Sequence, residues 1–434
     1  MNAEVLSIGN EVLSGRTLDT NFQHLARLLE GTGARIVGHQ AVSDREDAIA
    51  AALSLARSRA DLIVCTGGLG PTPDDLTVRA VAAALGLPLV RDDAILEALR
   101  ERWRAWARGP MPANNEQQAL LPWGATAWPN PIGSAPGVHV AHEGKDVVLL
   151  PGVPEEMSAL AQQFLVPLVR AKSGITVEYA LIRTVGIAES VLEERLADLE
   201  QKLDGAWVAY LPGLGGVDVR VSLPAEATPE RRGELAQRAR AIVRERAGDY
   251  VFTDDDRSLE QFVGDLLREK SLAIAVAESC TGGLLGGRIT AVPGSSAYFA
   301  GGVICYSNAS KMELVDVPAT TLGEHGAVSE ETARALARGV ARRFDAACGV
   351  GVTGIAGPDG GTPEKPVGTV HVAVVGPDGE HHRHLRLRGN RAQVRERSVT
   401  AALDLVRRLL TGLPATSPGA MGTPPAEPRP PATP

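Results

Sequence analysis

Ser279 lies in Ala277-Glu278-Ser279-Cys280-Thr281-Gly282-Gly283, where an apolar run stops, a hydroxyl residue takes the turn and two glycines open an amphipathic stretch. The bare reading is a helix N-cap, because Ser and Thr oxygens accept from the first free N–H groups of a helix. The same geometry suits a nucleophile. A serine on a tight strand-to-helix turn projects its hydroxyl over the sheet, and glycines let backbone N–H groups of the helix start approach an oxyanion. Such a serine needs a base. His325, His371, His381, His382 and His384 follow in the same part of the chain, none in a recognisable triad setting, and the last three alternate beside Arg383 as on a solvated strand edge. Lysine is the other choice. Lys311 follows Tyr306-Ser307-Asn308-Ala309-Ser310 at a strand end, and only six lysines stand among the 44 basic residues. A lysine base must be neutral, so desolvation or nearby positive charge must bring its pKa from about 10.4 down towards about 7–8, which arginine cannot do. The alternative for Lys311 is an exposed turn lysine.

A third element is the glycine-dense run from Gly351 to Thr369, with Thr353, Gly354 and Gly357 directly after an apolar strand. Its position at a strand's carboxyl end points to phosphate or ribose recognition by main-chain N–H groups. Lys365 in this run is a rival base, but Pro363 and Pro366 around it indicate a stiffened loop instead. A similar loop occurs early in the chain, Thr66-Gly67-Gly68-Leu69-Gly70-Pro71-Thr72-Pro73-Asp74-Asp75-Leu76-Thr77. It lacks the G-x-G-x-x-G dinucleotide spacing but suits phosphate cradling. Asp74 and Asp75 have two open readings: acids favoured by the dipole of a helix start, or hard oxygen ligands for a divalent metal serving a pyrophosphate.

These residues need a scaffold that presents loops at strand ends. Residues 1 to about 170 alternate short apolar runs with amphipathic stretches, which predicts a mostly parallel sheet covered on both faces, with ligands off the carboxyl ends of its strands. Residues from about 175 to 252 read as a small α+β unit with an Arg-rich helix from Pro229 to Ala247. Asp254 to Arg257 reads as a linker, and a third αβ unit runs from Ser258 to about Leu410. In the closing 24 residues eight are proline, with almost nothing apolar to bury, so this tail is expected to be disordered.

The 434 residues allow about three domains. A net charge of −8 lacks the positive field of non-specific nucleic-acid binders. Cys65, Cys280, Cys305 and Cys348 are widely separated, which argues against zinc or disulfides and suits a cytoplasmic protein. No signal peptide or membrane span is read.

Together, Ala277 to Gly283, Tyr306-Ser307-Asn308, Gly326 to Glu331 and Val352 to Thr369 resemble the carboxyl-terminal domain of the CinA family. The resemblance implies a nicotinamide mononucleotide (NMN) deamidase, which hydrolyses the carboxamide to nicotinic acid mononucleotide and ammonia without a metal or redox cofactor. It places Ser279 as nucleophile, Lys311 as base and Tyr306 as polar assistant. It places Thr281, Gly282, Gly283, Ser307, Asn308, Thr353, Gly354 and Gly357 around the substrate. Where the family often has Glu-Ala before the lysine, this chain has Ala309-Ser310.

The early glycine loop, with Ser7 to Glu11 and Leu150 to Met157, is similar to the MoaB/MogA-like fold found at the amino end of CinA proteins. That implies a nucleotide or pterin site at Gly67, Gly68, Gly70, Asp74, Asp75, Thr77 and Glu155. It also implies an ADP-ribose pyrophosphatase activity using a divalent metal (Mg, Mn or Co) at Asp74 and Asp75. Asn10 stands where the family usually has Asp. The middle unit is similar to the family's KH-like insert. An RNA-binding KH module needs a G-x-x-G loop with basic flanks, and no such loop is read here, so a spacer or dimerisation role is expected.

The resulting expectation is an α/β multidomain chain. A doubly wound domain occupies 1–172, a KH-like α+β connector 173–253, a deamidase domain 258–411 and a disordered tail 412–434. NMN and ADP-ribose are its expected small-molecule partners, with homodimerisation by resemblance and no direct nucleic-acid or membrane partner. The alternatives are a non-catalytic competence or DNA-damage-associated interaction protein, for instance one binding a recombination protein, and a molybdopterin-binding protein.

Overall fold

A computed structural model describes residues 1–106, 109–174, 178–213, 215–224, 226–417 and 420–422. The chain forms two compact units, one ending at Glu178 and one beginning at Tyr179.

In the first unit, β1 (Asn2–Ile8), β2 (Arg35–Val42), β3 (Leu62–Thr66), β6 (Thr126–Trp128), β7 (Gly137–His142) and β8 (Lys145–Leu150) form a sheet in the order β2-β1-β3-β8-β7-β6, while β4 (Leu89–Arg91) and β5 (Leu120–Pro122) pair as a separate ribbon. The pairs among β2, β1, β3 and β8 are parallel, and β7 and β6 turn antiparallel at the edge. Continuous apolar strands such as Leu62-Ile63-Val64-Cys65 arise because alternate residues feed two cores. Ile63 and Cys65 join Leu6, Val147 and Leu149 on one face, and Leu62 and Val64 join Val5, Val148 and Leu150 on the other. This is the doubly wound arrangement expected from the alternating pattern.

The second unit holds two sheets. β9 (Tyr179–Thr184), β10 (Trp207–Pro212), β11 (Val217–Ser222) and β12 (Val251–Thr253) lie in the antiparallel order β10-β11-β9-β12. The helices Glu189–Leu196 and Pro229–Ala247 share one core with this sheet. The bare spacing G-x-x-G occurs as Gly213 to Gly216, without the basic flanks that an RNA-binding loop needs. It sits between the paired strands β10 and β11, as a hairpin connection rather than a loop between helices.

β13 (Ile274–Glu278), β14 (Phe299–Ile304), β15 (Cys348–Gly354), β16 (Thr369–Gly376) and β17 (Gly379–Arg386) follow in the order β14-β13-β15-β16-β17. β13 lies parallel to both β14 and β15, so their carboxyl ends share one edge of the sheet, and Ser279 and Gly354 stand together at it. The closing helix Arg391–Leu410 packs along β16 and buries nearly its whole last three turns.

Two expectations fail here. The alternating histidines are not solvated: His371 stacks on His384 at 4.4 Å and on His382 at 5.3 Å, and His382 meets Glu330 at 3.2 Å. Burial, then the neighbouring His384 and His382, pushes His371 down to about 3. The tail is also not free from residue 412. The carbonyls of Pro414, Ala415 and Ser417 accept from Arg408, Arg383 and Tyr250, and Met421 N–H donates to Gly186 at 2.7 Å. Residues 418–419 and 423–434 of the expected disordered tail lie outside the described residues.

Candidate active site

β13 delivers Ser279 to the sheet edge, where its N–H donates to Val352 O at 3.0 Å and the residue is 8% exposed. Lys311 comes from the helix Asn308–Val315 and is only 1% exposed. Its Nζ lies 3.2 Å from Ser279 Oγ, 2.9 Å from Cys305 O and 3.2 Å from Tyr306 O. Burial pushes the Lys311 ammonium below its ordinary range, against a weaker upward pull from the Cys305 and Cys280 sulfurs. A neutral amine has two N–H groups and one lone pair. Nζ donates towards Ser279 Oγ; once deprotonated, it would keep two N–H groups for the two carbonyls and turn its lone pair to the serine hydroxyl. Two separated stretches of sequence thus form the hydroxyl–amine pair.

The turn that follows is closed by glycine. Gly282 and Gly283 have φ of +59° and +95°, a region that disfavours any Cβ. Their N–H groups are already engaged: Gly282 donates to Ser279 O and Gly283 to the Glu278 carboxylate. They are therefore not the oxyanion donors expected from the glycine pattern. Cys280 and Thr281 N–H make no hydrogen bond among the described residues. Thr281 is fully buried, and its Oγ1 also lacks a partner among the described residues.

The other expected residues divide. Tyr306 is 60% exposed, and its hydroxyl accepts from Arg391, so only its carbonyl touches Lys311. Ser307 caps the helix Asn308–Val315 in a reciprocal box with Ser310, which accounts for its hydroxyl without a ligand, and Asn308 stands exposed on the first turn. Thr353 Oγ1 donates to Ala327 O at 2.6 Å, and a Cβ on Gly354 would meet Val370. Lys365 is no rival base: its Nζ is held by His325 O and Val328 O at 3.0 and 2.8 Å and ties two loops together.

Residue patterning missed two arginines. Arg391 donates to Gly357 O at 2.7 Å and to Tyr306 Oη, and Arg395 donates to Thr281 O at 2.7 Å. Four residues apart, they share a face of the first turns of the helix Arg391–Leu410. The available signal was their position, since cations are unfavourable at a helix N-terminus.

In the first unit, Gly67 and Gly68 also take positive φ, and a Cβ on Gly68 would stand 2.2 Å from Thr77 Oγ1. Thr77 closes the loop by donating to Gly67 O at 2.8 Å. Below the loop lies a cavity of about 420 Å³ whose charged lining is Glu11, Asp44, Asp74, Asp75 and Glu156. Gly67, Gly68, Gly70, Asp74 and Asp75 are thus gathered as expected. Glu155 is not: it is exposed, and its neighbour Glu156 faces the cavity and accepts from Asn130. Asp74 and Asp75 take hydrogen bonds from Thr72. Among the described residues no three His, Cys, Asp or Glu side chains converge to hold a metal, and no helix is long and apolar enough to cross a membrane.

Comparison with known proteins covers the same three regions. Residues 256–410 match the CinA C-terminal domain, 4–171 a probable molybdopterin binding domain and 180–253 the damage-inducible protein CinA KH domain. The chain is 45% identical over 413 residues to a CinA-like protein of Gemmatimonas aurantiaca, covering 94% of this chain and 96% of that one. It is 41% identical to a putative competence-damage inducible protein of Acetivibrio thermocellus, over 95% of this chain and all of that one. A solved structure of the protein CinA from Thermoplasma acidophilum is similar at 36% identity, covering 38% of this chain and 95% of that one with a TM-score of 0.36. With likeness at this level along nearly its whole length, the chain belongs to the CinA family.

Proposed function

We propose that the second unit hydrolyses the carboxamide of nicotinamide mononucleotide, with Ser279 as nucleophile and neutral Lys311 as base. The observation that carries this reading is the buried contact between Lys311 Nζ and Ser279 Oγ. Ser279 Oγ attacks the carboxamide carbon while its proton moves to Lys311. The oxyanion takes the two N–H groups left without partners, those of Cys280 and Thr281. As the C–N bond breaks, the Lys311 ammonium returns the proton to the leaving nitrogen and ammonia departs. Water then attacks the Ser279 ester. Lys311 accepts the water proton and returns it to Oγ, releasing nicotinic acid mononucleotide. Arg391 and Arg395 supply the positive charge for the nucleotide phosphate beside this turn. Ammonia release from NMN by the wild-type chain, lost in Ser279→Ala, is the test. Equal release by both would end the reading.

The cavity of the first unit supports a second activity, pyrophosphate cleavage of ADP-ribose. Its charged lining is entirely acidic, so a polyanionic ligand needs accompanying cations there. Oxygen donors of the right kind are present, but the described side chains build no cage for an ion, so no catalytic step is assigned to a metal. AMP release from ADP-ribose with Mg²⁺, Mn²⁺ or Co²⁺ tests this activity.

A further inference from the structure

Glu278 precedes the serine and is 1% exposed, and the hydrogen-bond partners of its carboxylate are backbone N–H groups rather than a cation. A buried carboxylate in that condition is costly unless hydrogen bonds replace its water. Here three do. Oε2 accepts from Gly283 N–H at 3.0 Å and Leu285 N–H at 3.1 Å, and Oε1 accepts from Gly286 N–H at 2.8 Å. These are the otherwise unpaired donors at the start of the helix Leu284–Thr290. A serine or threonine cap satisfies one such donor, so a carboxylate reaching forward from the preceding strand satisfies far more than helix entry requires.

The same residue is tied to the base. Glu278 O accepts from Cys305 N–H at 2.8 Å, and Cys305 O in turn accepts from Lys311 Nζ. The chain between these two anchors is the Ser279–Gly283 turn. Both ends of the turn are therefore fixed by one residue: the strand end through its backbone, the helix end through its carboxylate.

We infer that Glu278 is a positioning residue, holding Ser279 Oγ in register with Lys311 Nζ by clamping the nucleophile turn between the helix Leu284–Thr290 and the Cys305 carbonyl anchor. The inference rests on the reading of Ser279 as the nucleophile. It concerns serine reactivity, independent of nucleotide binding.

The test uses the full chain and a fluorophosphonate, which forms an Oγ–P bond with loss of fluoride while the serine proton passes to the base. Glu278→Gln keeps the size and one acceptor oxygen. It is expected to label at least about tenfold more slowly than wild type, still reaching one label per chain, with kcat for the mononucleotide falling and KM within about twofold. Glu278→Asp, which keeps the charge on a shorter arm, is expected to recover part of the labelling rate and also covers the case in which the Gln variant does not fold. A wild-type labelling rate in the folded Gln variant, or in the folded Asp variant where the Gln variant does not fold, overturns the inference. So does a reduced label endpoint at unchanged rate, since that reports only a lost folded fraction. If wild type itself is not labelled at Ser279, the nucleophile reading fails instead.

Discussion

Lys311 Nζ and Ser279 Oγ, 32 positions apart in sequence, meet at 3.2 Å in a setting where two backbone carbonyls occupy the other directions around the amine. The contact is specific in its demands on residue type. Lys311→Arg retains charge and length but has no accessible neutral form. Lys311→Met retains only the apolar stem. Both, like Ser279→Ala, are expected to lower kcat/KM by about 10³-fold or more, because members of such a pair act as a unit. Steady-state ammonia release measures this, and an arginine variant with near-normal turnover would point to another base.

The depressed Lys311 pKa has two consequences with opposite experimental handles. Activity needs the neutral amine, so kcat/KM should rise with pH through the lysine's titration. Stability follows the proton balance. Between the lowered native pKa and the unfolded value of about 10.4, the unfolded chain binds more protons, so stability rises with pH across that window and falls as pH drops through it. Lys311→Met removes this pH dependence. Urea unfolding at several pH values should show a shallower pH slope in the variant than in wild type, and parallel slopes would mean that the lysine is not titrating abnormally.

Arg395 separates substrate binding from chemistry. It touches Thr281 O within the turn and, among the described residues, makes no hydrogen bond to the Ser279 or Lys311 side chains. On the proposed reading, replacing it with methionine removes a charge-assisted contact to the substrate phosphate, worth about 1.5–3 kcal/mol. The expected result is a rise of about tenfold or more in KM for NMN with kcat little changed, and no such rise for the riboside lacking the phosphate. An equal effect on both substrates would assign Arg395 to shaping the turn alone.

The sequence carried the pair itself but not its supports. Ser279 and Lys311 were legible because their residue types restrict the chemistry and lysine is scarce in this chain. The role of Glu278 was not, since a glutamate at a strand end has no pattern that reveals three N–H groups folding back onto it. Arg391 and Arg395 were hidden among many arginines. Glu155 and Glu156 were separable only by their direction, because neighbours on a helix point about 100° apart. The alternating strands and helices were readable from hydrophobic period, which reports side-chain burial. The ordered part of the tail escaped the same signal because it meets the fold through carbonyls, the Ser417 hydroxyl and single alanines, none of which makes a hydrophobic period.

That tail segment makes the last prediction. Arg383, Arg407 and Arg408 are all buried around one carboxylate, Asp404, which is itself fully buried. Burial pushes the Asp404 carboxyl up, but Arg407, Arg383 and Arg408 together outweigh it and hold it below its ordinary range. One carboxylate cannot satisfy three guanidinium groups; Arg407 and Arg408 also reach Asp249 O, and donors of Arg383 and Arg408 find Ala415 O, Pro414 O and Ser417 Oγ in the tail. Ending the chain at Thr411 strips these tail acceptors while leaving the arginines buried. Each charged donor left unpaired costs about 1–3 kcal/mol or more, so the truncated chain should lose at least about 3 kcal/mol. Ser417→Ala, which removes one hydroxyl shared by Arg408 and Asp249, should lose about 1–2 kcal/mol. Guanidinium unfolding of the three proteins gives the order directly. A truncated chain with the full-length midpoint would show that water reaches these arginines and that the segment after Leu410 contributes nothing to the fold.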